Sequence, residues 1–281
     1  MKTTFNNNAD VYSPRFRFGE NWLGFSEEID DGKIQKAEQS LIELLDMKSL
    51  KGKQFLDIGS GSGIFSLAAK NLGANVRSFD FDKDAVKCAK ALKEHYYPDD
   101  PRWVVEAGSV LDSDFIVNIG KYSIVYSWGV LHHTGAMWNA ILHASQTVKQ
   151  NGTFVLAIYN NQGIRSHLWW IVKYFFNKFP YRVQKPLAKL FSMTVEFAVF
   201  SRETIKGRGL VYYREVIRNN DARGMTKWVD ITDWYGGFPY EYAEYDTLVQ
   251  FVQSLGFKLI KGHENSGLGC HQLVFKKSTA R

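Results

Sequence analysis

Short apolar runs alternate along the chain with stretches whose apolar residues recur at helical steps. Ile34, Ala37, Leu41, Leu44 and Leu45 are spaced for a helix over Ile34–Met47. The apolar run ending at Asp57 reads as a first strand, and Ile64, Phe65, Leu67, Ala68 and Ala69 open a helix that stops near Gly73. Asn75–Asp80, Trp103–Ala107, Tyr122–Ser127 and Gly152–Tyr159 read as four further strands. Helical spacing separates them at Lys83–His95 and Met137–Val148. Such alternation predicts an α/β fold with a doubly wound, mostly parallel Rossmann-like sheet. The pattern then breaks over residues 163–243 and resumes with a helix at Asp246–Leu255 and two strands, Phe257–Lys261 and Gln272–Lys277. The last two are expected as an antiparallel hairpin completing a seven-stranded sheet. Four segments follow: an N-terminal arm (1–33), a core (34–162), a helical insertion before the last helix (163–243) and a completion of the core sheet (244–281).

Ligands of such sheets bind beyond the carboxyl ends of the strands, so the residues there carry the candidate chemistry. The first strand runs into QFLDIGSGSGIFS, an acid followed by Gly59, Gly61 and Gly63 at alternate positions. Glycine suits a turn with positive φ or a close approach of ligand to backbone. The spacing is not the dinucleotide pattern G-x-G-x-x-G, and no P-loop lysine follows. Asp80 closes the second strand, where an acid accepts hydrogen bonds from ribose hydroxyls in dinucleotide folds. Ser109 and Val110 follow the third strand, and Trp128-Gly129-Val130-Leu131-His132-His133 follows the fourth. Asp82 and Asp84 read as helix-starting acids, while Asp112 either caps the next turn or faces the ligand.

The net charge of +6 permits anionic substrates, nucleic acid or an acidic membrane surface and selects none of them. Two cysteines, Cys88 and Cys270, with no C-x-x-C pair argue against a disulfide scaffold or a zinc site, so a cytoplasmic setting is expected. Asp230 and Asp233 have no histidine or third acid spaced with them, and no metal is expected. The N-terminus lacks the apolar core of a secretory signal. No stretch approaches the roughly 20 apolar residues of a membrane span. The richest, Leu168–Phe176, contains Lys173.

D-x-G-x-G-x-G resembles motif I of the class I S-adenosylmethionine-dependent methyltransferases. The glycine motif, SWGVLHHTG, the 163–243 segment and the later GLGC together resemble a bacterial quinol-methylase-like group of that class, over nearly the full chain. The resemblance implies S-adenosylmethionine as cofactor. Asp57 would orient the loop or the ammonium group, with Gly59, Ser60, Gly61 and Gly63 against the cofactor. Asp80 and Phe81 would lie at the ribose, Ser109 and Val110 at the adenine, and Ser127 and Trp128 beside the sulfonium. Many members have an acid where this chain has Ser109. Paired histidines after the fourth strand resemble small-molecule O-methyltransferases, sugar O-methyltransferases among them. His133, or His132, would then be the general base.

The aromatic N-terminal arm, which includes Trp22, reads as a packed arm, a lid over the cofactor, or both. Asn160, Arg223, Asp230 and Trp234 are the expected acceptor contacts, and Arg223–Ala243 reads as a loop folding over a polar acceptor. Residues 167–191 mix aromatic side chains with Lys173, Lys178, Arg182, Lys185 and Lys189. They read as a helical subdomain closing the site, or as a peripheral contact with the inner face of a membrane. The expected activity is O-methylation of a small polar metabolite, a sugar or glycan precursor. The alternatives are a quinone or lipid-linked acceptor and, third, RNA. No RNA-binding module or N-P-P-Y-type motif supports a nucleic-acid partner, and the sequence leaves the oligomeric state open.

Overall fold

The computed structural model describes residues 15, 16, 18, 19, 22, 29–219 and 227–278, with the backbone alone at 181, 215–219 and 227–230. Most of the N-terminal arm therefore lies outside the described residues. Seven strands form one sheet: β1 (Gln54–Ile58), β2 (Asn75–Asp80), β3 (Trp103–Ala107), β4 (Tyr122–Trp128), β5 (Val148–Tyr159), β6 (Phe257–His263) and β7 (Cys270–Lys277). Their spatial order is β3-β2-β1-β4-β5-β7-β6. The first five are parallel, and β7 enters antiparallel between β5 and β6. This is the doubly wound, mostly parallel sheet expected from the sequence, with its antiparallel C-terminal hairpin. Strand order reverses at β1 and β4, the switch point at which such sheets bind ligands.

Helices cover both faces. In chain order they are α1 (Asp31–Leu45), α2 (Ile64–Asn71), α3 (Lys83–Tyr96), α4 (Ser113–Ile119), α5 (Met137–Gln146), α6 (Ile164–Phe176), α7 (Tyr181–Ile205), α8 (Gly209–Asn219), α9 (Lys227–Gly236) and α10 (Tyr245–Ser254). Alternate residues of each strand feed opposite cores. Phe55 and Tyr126 pack with α1, α2 and α3, whereas Leu56, Ile58 and Val125 pack with α4, α5 and α10. The polar starts of the helices are used as caps: Asp30, Asp82 and Asp112 accept from Lys33 N, Asp84 N, and Asp114 N with Phe115 N, respectively.

Three elements depart from the sequence-based expectation. Helix α4 is too short to show a period, and its N-cap is Asp112, which is thereby committed to the backbone. Strand β5 begins at Val148 rather than Gly152; the exposed Lys149–Asn151 are taken up in a register irregularity against β4, with Asn151 at φ 57°. Within Arg223–Ala243 the expected loop is in part helix α9, which buries Thr232 and Tyr235 against the other inserted helices.

A buried polar chain crosses the first core. Trp103 Nε1–H donates to Ser78 Oγ at 3.0 Å, Ser78 and Ser66 hydroxyls meet at 2.7 Å, and Ser66 Oγ–H donates to Asp57 at 2.5 Å. Ser66 spends its one hydrogen on the carboxylate, so Ser78 is the donor to Ser66. The chain ties β1, β2, β3 and α2 together. Burial raises the Asp57 carboxyl to about 7; the Ser66 bond opposes the shift and the Asp80 charge adds to it.

Because that value lies above the carboxyl's ordinary one, ionisation costs the folded state more than the unfolded chain. Stability contributed at low pH is lost as pH rises from about 4 to about 7. Asp57→Asn keeps an acceptor for Ser66 and removes this slope. Urea unfolding at pH 5 and pH 8 should show a smaller loss of stability in the variant than in the wild type. Equal losses would contradict the assignment.

Candidate active site

The glycine turn begins where β1 ends. Gly59 N–H and Ser60 N–H donate to the Phe79 carbonyl at 2.9 and 3.2 Å, and Gly61 N–H donates to Asp80 Oδ2 at 2.9 Å. The other Asp80 oxygen accepts from Asp82 N–H at 2.9 Å. Gly59 and Gly63 have φ of 73° and 85°. A Cβ on Gly59 would overlap Val130, and one on Gly63 would press on Ala89 of α3. Burial raises the Asp80 carboxyl to about 6, and the amides of Asp82 and Gly61 limit the shift. Ser60 Oγ is buried and without a hydrogen-bond partner, an orphaned polar atom that a bound ligand would satisfy. A bare backbone cradle, an orphaned hydroxyl and a carboxylate at the next strand end fit the polar parts of S-adenosylmethionine.

The described part of the arm lies over this turn. A Cβ on Gly61 would meet the Trp22 indole at 3.1 Å. Gly19 N–H donates to Asp82 at 2.8 Å, and Phe16 N–H to the Phe238 carbonyl at 3.1 Å. Phe18 packs on the His133 ring at 5.0 Å between centroids. Phe81 is 66% exposed at the rim, with the Arg15 guanidinium 5.3 Å from its ring.

The histidine segment is a short 3-10 helix, Leu131–His133. His133 Nδ1 lies 2.7 Å from the Pro239 carbonyl. A carbonyl only accepts, so Nδ1 carries the proton and Nε2 keeps a lone pair. The ring edge packs on Gly237, where a Cβ would come within 2.6 Å of Cε1. Burial, with the Lys173 charge, lowers His133 to about 3, while the Pro239 bond pulls the other way. The ring is therefore neutral at physiological pH.

His132 sits behind it with no exposed surface. Its Nδ1 accepts from Tyr159 N–H at 3.3 Å, and its carbonyl accepts from Glu241 N–H at 3.0 Å. The ring is a buried packing element against Tyr159, 4.0 Å away. The two candidate bases are thus placed differently: His132 is packed on Tyr159, and His133 keeps a lone pair on Nε2.

Other expected contacts are spent on the fold. Ser127 is fully buried and its hydroxyl donates to the Ile58 carbonyl at 3.2 Å, clipping β4 to β1. Asn160 is buried, its amide donating to the carbonyls of Asn265 and Gly267 at 2.8 and 2.7 Å. It pins the β6–β7 loop instead of meeting an acceptor. Val110 is buried in the second core, so its side chain does not form an open platform. Ser109 Oγ accepts from Leu111 N–H at 3.2 Å, and Trp128 stacks on Tyr126 at 5.8 Å. Arg223 lies outside the described residues, and of Asp230 only the backbone, in α9, is described.

Residues 167–191 read from the sequence as a helical subdomain or a membrane contact, and Lys173 within them has no exposed area. Nζ donates to the Trp234 carbonyl and lies 4.8, 5.0 and 5.7 Å from the rings of Trp234, Tyr240 and Tyr159. Aromatic faces stabilise a desolvated cation, but burial still lowers its pKa to about 7, against the pull of Asp233 and Cys270. One turn on, Asn177 donates to the Gly236 carbonyl at 2.6 Å. Lys173 and Asn177 thus clamp the end of α9, from which Gly237–Pro239 leads to His133. Glu241 completes the wall: both oxygens accept from Met137 N–H at 3.0–3.1 Å, and burial raises the carboxyl to about 7. Sequence reasoning missed Tyr159, Pro239 and Glu241, because each contacts the histidines only through the fold.

A 3-2-1-4-5-7-6 sheet with a glycine turn after β1 and an acid after β2 defines the class I S-adenosylmethionine-dependent methyltransferases. The Methyltransferase domain family matches residues 32–199, and the chain belongs to it. S-adenosylmethionine is the cofactor of this class. A ribosomal protein L11 methyltransferase of Dictyoglomus thermophilum is 50% identical over 50 residues, 17% of each chain. A ubiquinone biosynthesis O-methyltransferase of Paraburkholderia xenovorans is 29% identical over 130 residues, 44% of this chain and 51% of that one. The chain thus spans between about a sixth and half of the length of these relatives. The crystal structure of magnesium protoporphyrin IX methyltransferase from Synechocystis shares the fold at TM-score 0.52 and 15% identity, covering 88% of this chain and 84% of that one.

Replacing Gly61 by arginine would fill the cradle beneath Trp22. Calorimetric titration should show S-adenosylmethionine binding to the wild type and none to Gly61→Arg. Equal binding to both would move the cofactor elsewhere.

Proposed function

We propose that this protein methylates a hydroxyl of a small acceptor, with S-adenosylmethionine as donor and His133 as the general base. One observation carries the reading: in the segment after β4, whose Val130 packs against Gly59 of the glycine turn, His133 has Nδ1 fixed by the Pro239 carbonyl and Nε2 left as a lone pair. Bound, the cofactor supplies a methyl group made electrophilic by its sulfonium. Asp80 and the turn amides would hold it, with Ser60 satisfied by the ligand, and Trp22 and Phe18 would exclude water from above. His133 Nε2 would take the acceptor proton as the oxygen attacks. Trp234, beside Tyr159 at 5.3 Å, would line the acceptor side, and the inserted helices would act as its lid.

The aromatic wall suits the apolar face of a sugar ring or a phenol, so a sugar or glycan precursor remains within the proposal. A second reading, a quinol or lipid-linked hydroxyl drawn from a membrane, has its own support in the outward apolar surface of α6–α8. The ubiquinone biosynthesis relative supports it as well.

Alanine at His133 should lower turnover by about 10²–10⁴-fold with cofactor affinity unchanged, whereas alanine at His132 should chiefly lower the melting temperature. Near wild-type turnover in the His133 variant would remove the base. Because His133 is held near 3, the rate should show no loss from base protonation between pH 8 and pH 5. In Lys173→Met the neighbouring charge is gone and the histidine pKa rises, so an acid limb should move up toward the ordinary histidine range. An acid limb near pH 6.5 in the wild type would contradict the neutral, buried base.

A further inference from the structure

Helices α6 and α7 bury polar side chains and leave large apolar ones outward. On α6 the side chains turned inward include Ser166 and Lys173, while Ile164 (80% exposed), Leu168, Val172 and Phe175 face outward. On α7 the inward stripe is Gln184, Ala188 and Ser192, at steps of four, and Leu190, Met193, Val195 and Phe197 (72% exposed) are exposed. Leu210 and Val211 of α8 continue the exposed surface. A helix packed on a domain normally buries its apolar side. Here the inward side buries Phe176 and Ala188 and packs Trp169 and Leu187 beside its polar residues, yet a second, outward apolar surface is left for something else.

Charge identifies what covers it. Residues 163–219 contain eleven Lys and Arg against three Asp and Glu, an excess of eight, whereas the whole chain carries +6. The cations Arg165, Lys178, Arg182 and Arg202 are exposed, while Glu196 and Glu203 are half-buried. A second copy packed on the same face would bring like charges together. None of the described helices is long and apolar enough to cross a membrane. An outward apolar face with basic flanks matches the interface of an anionic bilayer, which receives the rings and methyls and pairs with the cations.

We infer that α6–α8 form a docking surface for anionic phospholipid bilayers. The inference rests on the second reading above for its purpose, delivery of a membrane-held acceptor, but not for its physics. The inward faces of the docking helices carry Lys173 and Asn177, which wall the acceptor side, so an acceptor leaving the leaflet would have a short path to His133.

Co-sedimentation of the full chain with phosphatidylcholine vesicles, with and without phosphatidylglycerol, tests it. The chain should pellet with the anionic vesicles and be released by salt. The double variant Leu190→Ser/Phe197→Ser should bind about tenfold or more weakly, with its melting temperature and S-adenosylmethionine affinity retained. Arg165→Glu/Arg182→Glu, which keeps the apolar face, should lose the preference for anionic vesicles. No pelleting with anionic vesicles would overturn the inference. So would a wild-type dimer in sedimentation equilibrium that the serine variant converts to monomer, since a second copy would then be the occupant. Vesicle binding without S-adenosylmethionine binding would sink the methyltransferase reading and leave the docking surface standing.

Discussion

Gly61 N–H donates to the Asp80 carboxylate, and on this bond the geometry of the cofactor end depends. The turn after β1 is otherwise held by backbone bonds, from Gly59 and Ser60 to the Phe79 carbonyl and from Gly63 to the Ser60 carbonyl. Asp80 fixes the turn against the end of β2 while its own second oxygen is fixed by Asp82 N–H. Amide donors offset part of the desolvation that lifts this carboxyl. The same side chain therefore shapes the cradle and offers remaining lone pairs to a ligand. Beneath it the Trp103–Ser78–Ser66–Asp57 chain keeps β1, β2 and α2 in register, so the position of the turn is set by the core.

The surroundings of the proposed base are assembled differently, from segments far apart in the chain. His133 receives its tautomer from Pro239, 106 residues on. Pro239 follows α9, whose last turn is clamped by Lys173 and Asn177 of α6. A buried ammonium is costly unless its donors are engaged. Lys173 meets that cost with a carbonyl and three aromatic faces, and its charge helps to keep the histidines neutral. Position and protonation state of the proposed base are thus linked through one side chain of the inserted helices.

The sheet was legible because buried parallel strands leave runs such as NVRSFD and WVVEA, whose boundaries coincide with β2 and β3. Glycine spacing and Asp80 were legible because backbone geometry restricts which residues stand there. The insertion was legible as helical, but its inward side was not. Composition cannot separate the buried Lys173 from the cations around it, and the polar, glycine-bearing stretch that holds α9 reads as a loop. Asn160 and Ser127 stood at strand ends, where position alone suggested ligand contact, and only their hydrogen bonds reveal that each is committed to the fold. Of the two histidines, the sequence offered no means of choosing. The Pro239 carbonyl and the Tyr159 amide meet Nδ1 of the two rings in opposite senses, the carbonyl accepting from His133 and the amide donating to His132, and this supports His133.

The central claim is that a cofactor held by the Gly59–Gly63 turn presents its methyl group toward His133. A crystal structure of the chain with S-adenosylhomocysteine tests it most directly. The account predicts the ribose at Asp80 and the thioether sulfur within roughly 7 Å of His133 Nε2, a gap that one acceptor hydroxyl fills at reacting distances. A ligand bound in the turn with its sulfur directed away from His133, or bound elsewhere, would contradict it.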